Sequence, residues 1–565
     1  MRFALALRHP AFQSGKGQGG PSLATHHTAR SLRVGVRTVA RGAGSPGFVI
    51  ASPSMKLLLL RPVAPNERFG LGPFFKIEPL GLEYIAAAAR RDPANRNEVA
   101  IYDLRFVKDG RGQRGIERIL ERERPDVVGI ASAHTLDTNE ALDVARRVKA
   151  WSRGVFTLIG GHSAAVFPEP FLAPHLVHPE AGGAPLVDAI CVEDGERVVP
   201  QLLAALAARQ PLARVAGLIA RERGRDGSVG AFVHGPCSTE RVSLDEIPLP
   251  DRTALRTGHQ GYLCVQRRPV YLVETTRGCP YRCTFCTIWQ HVDRTFRCRA
   301  VGNVAEDLAS VGGNVFLADD LFWHPAGYSE DLALALQRRG VRKEWLLVQT
   351  RTDLVARHPQ LLEKWRPLAK HFDIFFGFES PTDDGLASVQ KDCGVAAIEE
   401  AIAVCRRLGF GITGNFICDP EWDLQDFERL WEFVARHRLD HVGFTVLTPL
   451  PGTQMFTDVR SRIRDLDWSH YDMHHILWEP KLGRQRFFEL FAETWRRTAL
   501  NARGARSLWS YVRQVKPRDL PVLWKVLRQS RRLFDPDAYL NEAFPPGPTI
   551  PLPQTVMAEK VAAGR

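Results

Sequence analysis

The chain has 565 residues, 44% hydrophobic and 24% charged, an ordinary globular composition with room for roughly three to four domains. Its longest apolar runs, such as the four leucines at 57–60, fall far short of the ~20 residues needed to cross a bilayer, so no transmembrane helix is expected. The net charge of +12 sits at the ends: residues 1–54 carry seven Lys/Arg and no acid, residues 481–534 carry fourteen against three acids, and the rest is net acidic.

Residues 1–54 are rich in Arg, Gly, Ser and His and show no helical or strand period. They read as a disordered arm or an overcalled start, with the acid-poor, Arg/Ser-rich composition of a transit peptide. Folded structure is expected from Met55. From 55 to 215 short apolar strands (56–60, 98–102, 127–131, 157–160, 189–192) alternate with amphipathic helices (80–91, 139–150, 197–208). That alternation predicts an α/β fold with a doubly wound, flavodoxin-like parallel sheet, which binds ligands at the C-terminal ends of its strands. A linker, 216–265, follows, with the proline-punctuated DEIPLPDR at 245–252.

A second alternation occupies 266–475. Six strands (271–276, 314–318, 345–350, 374–379, 412–418, 442–448) are separated by helices at 304–310, 329–339, 359–368, 395–408 and 424–437. Six β/α units predict a partial (β/α)6 barrel, with chemistry where strands give way to loops. Residues 476–565 read as a mainly helical C-terminal region. It holds a helix at 486–500, two basic aromatic stretches (SLWSYVRQVK and VLWKVLRQSRRLF) and a loose, proline-rich tail.

Seven of the ten cysteines are scattered, which fits small buried side chains in a reducing compartment and not a disulfide scaffold. The other three cluster in TTRGCPYRCTFCTIWQ, residues 275–290, as a C-x3-C-x2-C frame of Cys279, Cys283 and Cys286, directly after the first barrel strand. Structural zinc takes four Cys or His ligands. His291 could supply a fourth, but no second C-x2-C pair exists. Thiolates are also the usual ligands of iron–sulfur clusters, and three of them leave one iron open to a small molecule.

A three-cysteine loop after the first strand of a six-unit barrel resembles the radical S-adenosylmethionine superfamily. The resemblance implies a [4Fe-4S] cluster on the three cysteines, with S-adenosylmethionine on the open iron. It implies S-adenosylmethionine contacts from Phe285 before the last cysteine and from Asp319 and Asp320 after the second strand. Further contacts would come from Arg351 after the third strand, Gly377 and Glu379 at the end of the fourth, and Thr448 at the end of the sixth. An acidic group suits the substrate ammonium, which needs an acceptor. Each of these residues also has a plain structural reading, as a loop acid, a surface arginine or a buried ion pair. No catalytic acid or base is singled out.

The front domain resembles cobalamin-binding domains through Ser132, Gly160-Gly161-His162 and Glu193-Asp194-Gly195-Glu196, each at a strand end. Implied cobalamin contacts are Ser132, Gly160, Gly161, His162, Glu193, Gly195 and Glu196. A Gly-Gly strand end lets a large flat ligand approach the backbone closely. The sequence departs from the Asp-x-His-x-x-Gly pattern of histidine-ligated cobalamin proteins: Arg105 and Lys108 stand where histidine and glycine would. No imidazole can come from that loop, and His134 and His162 remain as neighbouring candidates.

Stretches such as IEPLGLEYIAAAARR (77–91), FLADDLFW (316–323), DPEWD (419–423) and TPLPGT (448–453) are similar to the hopanoid C-3 methylases over about 60–540. That similarity implies a cobalamin-dependent methyltransferase acting on an unactivated carbon of a hopanoid-like lipid. One S-adenosylmethionine would supply the methyl through cobalamin and a second the 5′-deoxyadenosyl radical. Implied partners are a lipid or other small-molecule substrate and an electron donor such as flavodoxin or ferredoxin. No nucleic acid is expected. The expected location is cytoplasmic, with peripheral contact at the inner face of the membrane through the basic aromatic C-terminal segment. Two alternatives stay open at this point: a cobalamin-dependent radical oxidase or cyclase without methyl transfer, and a basic membrane- or nucleic-acid-binding protein with structural zinc.

Overall fold

The structure is a computed structural model. It describes residues 54–541 apart from 64–74, 92–96, 108–112, 174–175, 179–183, 224–228, 239–240, 266, 292–293, 466, 500–523, 525–527 and 529. The expectations for residues 1–53, for SLWSYVRQVK, for most of VLWKVLRQSRRLF and for the tail lie outside the described residues.

The front sheet has seven strands: β1 (Lys56–Arg61), β2 (Glu98–Asp103), β3 (Val127–Ala131), β4 (Phe156–Gly160), β5 (Ala189–Cys191), β6 (Leu218–Arg223) and β7 (Val229–His234). Their order is β7-β6-β5-β4-β3-β1-β2. The first five are parallel; β6 and β7 add antiparallel to the edge at β5. The sheet therefore continues past the boundary expected at 215. The first part of the expected linker is a hairpin that caps the sheet edge.

Four consecutive leucines make a strand here because both faces are covered. Leu58 and Leu60 point to one core, with Leu142 and Val148 of the helix Thr138–Trp151. Leu57 and Leu59 point to the other, with Ala86 of the helix Leu80–Arg91 and Val199 and Leu202 of the helix Gly195–Ala207. Alternate side chains of a strand face opposite sides, so one apolar run serves two cores.

The second sheet has six parallel strands in sequence order: β8 (Tyr271–Val273), β9 (Asn314–Leu317), β10 (Lys343–Thr350), β11 (Ala369–Glu379), β12 (Gly411–Cys418) and β13 (Val442–Val446). Ile374, Phe376 and Phe378 of β11 are buried in the outer core under the helices, with Phe378 stacked on Phe416 at 5.1 Å. Asp373, Phe375 and Gly377 alternate with them. A two-residue ribbon, Phe75–Lys76 against Leu263–Cys264, brings Phe75 and Cys264 against Val270, Trp345 and Leu347. The connection between β1 and β2 and the segment after the front sheet thus help fill the barrel.

The expected strand 271–276 breaks after Val273. Asp319 explains the break: it accepts hydrogen bonds from the Thr275 amide at 2.7 Å, from the Thr276 hydroxyl at 2.8 Å and from the Thr275 hydroxyl. Thr276–Arg277 then pairs antiparallel with Arg297–Cys298, and that short ribbon forms the base of the cysteine loop. In the C-terminal region the helix Arg484–Ala499 lays Phe487, Phe488 and Phe491 into the barrel's outer core, and the helix Pro536–Asn541 packs Tyr539 on Phe488. No helix among the described residues is long and apolar enough to cross a membrane.

Candidate active site between the two sheets

A cavity of about 1970 Å³ is lined by residues of both sheets. From the front sheet it takes Ala131, Gly160, Gly161, His162, Glu193, Gly195 and Glu196, and from the barrel Glu274, Ala318, Asp320, Phe375, Asn415 and Thr445. The predicted cobalamin residues thus converge on one wall, except Ser132, which lies directly behind Gly161.

That wall is made of backbone. Gly161 has φ +111°, and a Cβ there would sit 2.7 Å from the Ser132 carbonyl oxygen, so only glycine fits without strain. A Cβ at Gly195 would meet Ile85 at 2.8 Å. The Ser132 amide bonds the Gly160 carbonyl at 2.7 Å, while its buried hydroxyl has no partner among the described residues. A bare strand end backed by a buried polar atom without a partner suits a broad ligand carrying its own hydrogen-bonding groups. These residues fit cobalamin.

Arg105, at the position of the missing imidazole, also lines the cavity. Its guanidinium is held by both oxygens of Asp103 and by the Ile77 carbonyl, which also accepts from Arg61. His134 lines the same cavity and contacts Asp137. His162 bonds Thr287 instead: Nε2 lies 2.6 Å from Thr287 Oγ1. Burial and the neighbouring His291 push His162 down to about 3, so its ring is neutral.

The three cysteines sit beside this cavity on the loop closed by the Thr276–Arg277 ribbon. Burial raises all three thiols, Cys286 to about 12. Around Cys283 two cations oppose that rise. Lys391 is one, and Arg351, with Nη1 3.9 Å from the sulfur, is the other. Three thiols spread on one loop, with cations at hand to balance thiolate charge, fit an iron–sulfur cluster.

The predicted S-adenosylmethionine residues separate into two groups. Asp320 lines the cavity and accepts from the Gly278 amide at 2.8 Å; burial raises its pKa. Asp319 points the other way, into the Thr275–Thr276 turn, and burial pushes it up to about 7. Arg351 bonds Asp353 at 2.8 Å and the Lys391 carbonyl, and its guanidinium stacks 3.6 Å from the Tyr281 ring centre. Glu379, with φ +59°, pairs with Lys391 at 2.7 Å. A Cβ at Gly377 would lie 2.2 Å from Glu379 Oε1, so glycine there makes room for that pair. Thr448 is buried, with its hydroxyl on the Val446 carbonyl. Phe285, partly buried, lies in the loop between Cys283 and Cys286.

Sequence reasoning did not find Lys391, Arg277 or Thr287. Lys391 follows Glu379 by twelve residues in a loop, with no pattern to mark it. Arg277 stood inside the quoted cysteine stretch. A charge two residues before Cys279, at a strand end, was the available signal.

The B12 binding domain family matches residues 73–202, and the Radical SAM superfamily matches residues 273–434. The chain is 28% identical over 422 residues to "Hopanoid C-3 methylase" of Methylococcus capsulatus, covering 74% of this chain and 76% of that protein. It is 28% identical over 231 residues to "Bacteriochlorophyllide d C-12(1)-methyltransferase" of Chlorobaculum tepidum, covering 39% of this chain and 49% of that protein. Among solved structures, OxsB, a cobalamin-dependent S-adenosylmethionine radical enzyme, superposes with a TM-score of 0.61 at 16% identity. The match covers 85% of this chain and 72% of that one and shows a shared fold.

Proposed function

We propose that this chain, a cobalamin-binding protein of the radical S-adenosylmethionine superfamily, is a methyltransferase acting on an unactivated carbon of a hopanoid-like lipid. Its cofactors are cobalamin, a [4Fe-4S] cluster and S-adenosylmethionine. Together they supply a transferable methyl group and a hydrogen-abstracting radical. The observation that carries the reading is the cavity lined by both sheets, which takes Gly160, Gly161 and Gly195 from the front sheet and Arg277, Thr287 and Ile288 from the two ends of the cysteine loop, and so supports a substrate held between the two cofactors.

Cys279, Cys283 and Cys286 hold the cluster, with Arg351 and Lys391 balancing its charge. Asp320 is the acid best placed for the substrate ammonium, since Asp319 is spent on the turn. The Glu379–Lys391 pair shapes the floor beside Cys283. Gly160, Gly161 and Gly195 give the flat cofactor a bare surface, and Arg105, held by Asp103, stands where other cobalamin proteins offer imidazole. Phe375, Phe444, Leu450 and Trp495 give the cavity an apolar wall that suits a lipid body and excludes water.

Anaerobic incubation with extracted lipids and S-adenosylmethionine carrying a deuterated methyl tests the reading. A product heavier by one labelled methyl is expected. Oxidised or cyclised product without label would instead establish the oxidase or cyclase reading.

Reduction by a flavodoxin- or ferredoxin-type donor, a cytoplasmic location and peripheral membrane contact belong to the same proposal. The last is supported by Trp524, 69% exposed, which lines the cavity together with Arg528 and Arg531. Basic residues beside tryptophan favour an anionic interface. Co-sedimentation with anionic vesicles at low salt, declining as salt screens the charges, is the expected result. Absence of co-sedimentation at low salt removes the membrane contact from the proposal.

A further inference from the structure

Two of the three strand-end motifs that read as cobalamin-contacting are bonded to the cysteine loop, one at each end. At its start, Arg277 reaches Asp194 Oδ1 at 3.1 Å, Glu196 Oε1 at 2.9 Å and Glu274 at 2.9 Å. Across the same ribbon, Arg297 reaches Asp194 Oδ2 at 2.8 Å. Asp194 is thereby gripped by two guanidiniums. Burial alone would raise its pKa, but Arg297 and Arg277 hold it down to about 2. At the end of the loop, one residue after Cys286, the Thr287 hydroxyl meets His162 Nε2 at 2.6 Å, and the His291 ring packs edge-on to His162 at 5.2 Å.

His162 and Glu196 each have two neighbours of opposite kind. On one side, through the chain, are the bare glycines Gly161 and Gly195 of the cobalamin wall. On the other, through the side chain, is the cysteine loop. The Ser132 amide bonds the Gly160 carbonyl at 2.7 Å, and Gly161 has no room for a side chain against Ser132, so the wall is tied two residues before His162.

We infer that His162 and the Asp194/Glu196 pair are positioning residues that strap the cysteine loop to the cobalamin wall at two points, so that filling the cobalamin site tightens S-adenosylmethionine binding at the cluster. This rests on the function proposed above. A ligand seated on Gly160, Gly161 and Gly195 restricts the motif backbones. The two straps then restrict the loop that carries the open iron. Rigidity established by the first ligand is not required again of the second, which is positive coupling without a change of contacts. The coupling is reciprocal: S-adenosylmethionine must tighten cobalamin by the same factor.

Anaerobic equilibrium dialysis of labelled S-adenosylmethionine, on the cluster-loaded full chain with and without cobalamin, measures it. Cobalamin and cluster content, and binding of S-adenosylmethionine to the wild type, are established first and bear on the function proposed above. The expected coupling factor is on the order of tenfold, within the usual range of 5–150-fold. His162→Ala and Thr287→Val, the latter keeping the shape of the side chain, should each bring the factor to within about twofold of unity. His162→Gln, which keeps a hydrogen-bonding group, should retain most of it. Glu196→Gln tests the other strap and should give an intermediate factor. A merely structural role would weaken binding equally with and without cobalamin and leave the ratio intact. An unchanged ratio in both His162→Ala and Thr287→Val, or a wild-type ratio of one, overturns the inference.

Discussion

The two sheets end in opposite materials. The front sheet offers backbone: Gly160, Gly161 and Gly195 are bare, and Asp194 and Glu196 beside them bond Arg277 at the start of the cysteine loop. The barrel offers charge, and nearly every charge is already paired: Arg351 with Asp353, Glu379 with Lys391, Asp319 with the threonines of the turn. A large planar ligand needs area and brings its own polar groups. A small zwitterion beside an anionic cluster needs fixed charges, and a buried charge is tolerable only when another holds it.

The comparison breaks most sharply at Lys391. Its ammonium is buried, pairs with Glu379 and opposes the burial of Cys283. Lys391→Ala leaves Glu379 buried without its cation. Removing one partner of such a pair costs about 3–5 kcal/mol. The expected result is a clear drop in the thermal unfolding midpoint, with cluster content reduced in the same preparation. The double substitution Lys391→Met with Glu379→Gln should recover most of the stability but not the cluster content. If Lys391→Ala unfolds like the wild type, the paired-charge description of the barrel site is wrong.

The same contrast explains what could be read from the chain. Strand periodicity located five strands of the front sheet and all six of the barrel, because apolar alternation records which side of a strand is covered. The helices at 80–91 and 395–408 coincide with Leu80–Arg91 and Val395–Leu408. The hairpin of β6 and β7 was not read because the buried Leu218-Ile219-Ala220 of β6 runs at once into Arg221-Glu222-Arg223, too short an apolar run to mark a strand. Motif residues were legible by type: Gly160, Gly161, Gly195 and Asp320 line the cavity, and so do Arg277 and Thr287, which flank the three cysteines in the chain. What each side chain bonds was not legible. Glu196 and His162 read as cobalamin residues, yet their partners Arg277 and Thr287 come from the other domain, about 80 and 125 positions away. Nothing local in a sequence records such a pairing. Asp319 and Asp320 look equivalent as neighbours, and only the turn at Thr275 separates their roles.

Where the two sheets are joined, the material is again charge. Glu78 and Glu83 open and line the helix Leu80–Arg91; Arg252 and His259 come from the connecting segment, and Asp307 from a barrel helix. Three buried carboxylates face one guanidinium, so the imidazole is drawn into its charged form. Burial would lower the His259 pKa, but Glu78 and Glu83, at 3.2 and 3.3 Å, raise it to about 9. A folded pKa above the unfolded value of about 6.5 means that the charged ring stabilises the fold fully below pH 6.5. That contribution fades between pH 6.5 and 9 and is gone above 9. It is worth on the order of 2 kcal/mol, reduced because Glu83 itself is strained by burial and its pKa is raised. The unfolding midpoint of the wild type should therefore fall between pH 6.5 and 9.5 more steeply than that of His259→Gln, which cannot titrate. Parallel pH profiles would show that the imidazole between the two sheets carries no charge in the folded protein.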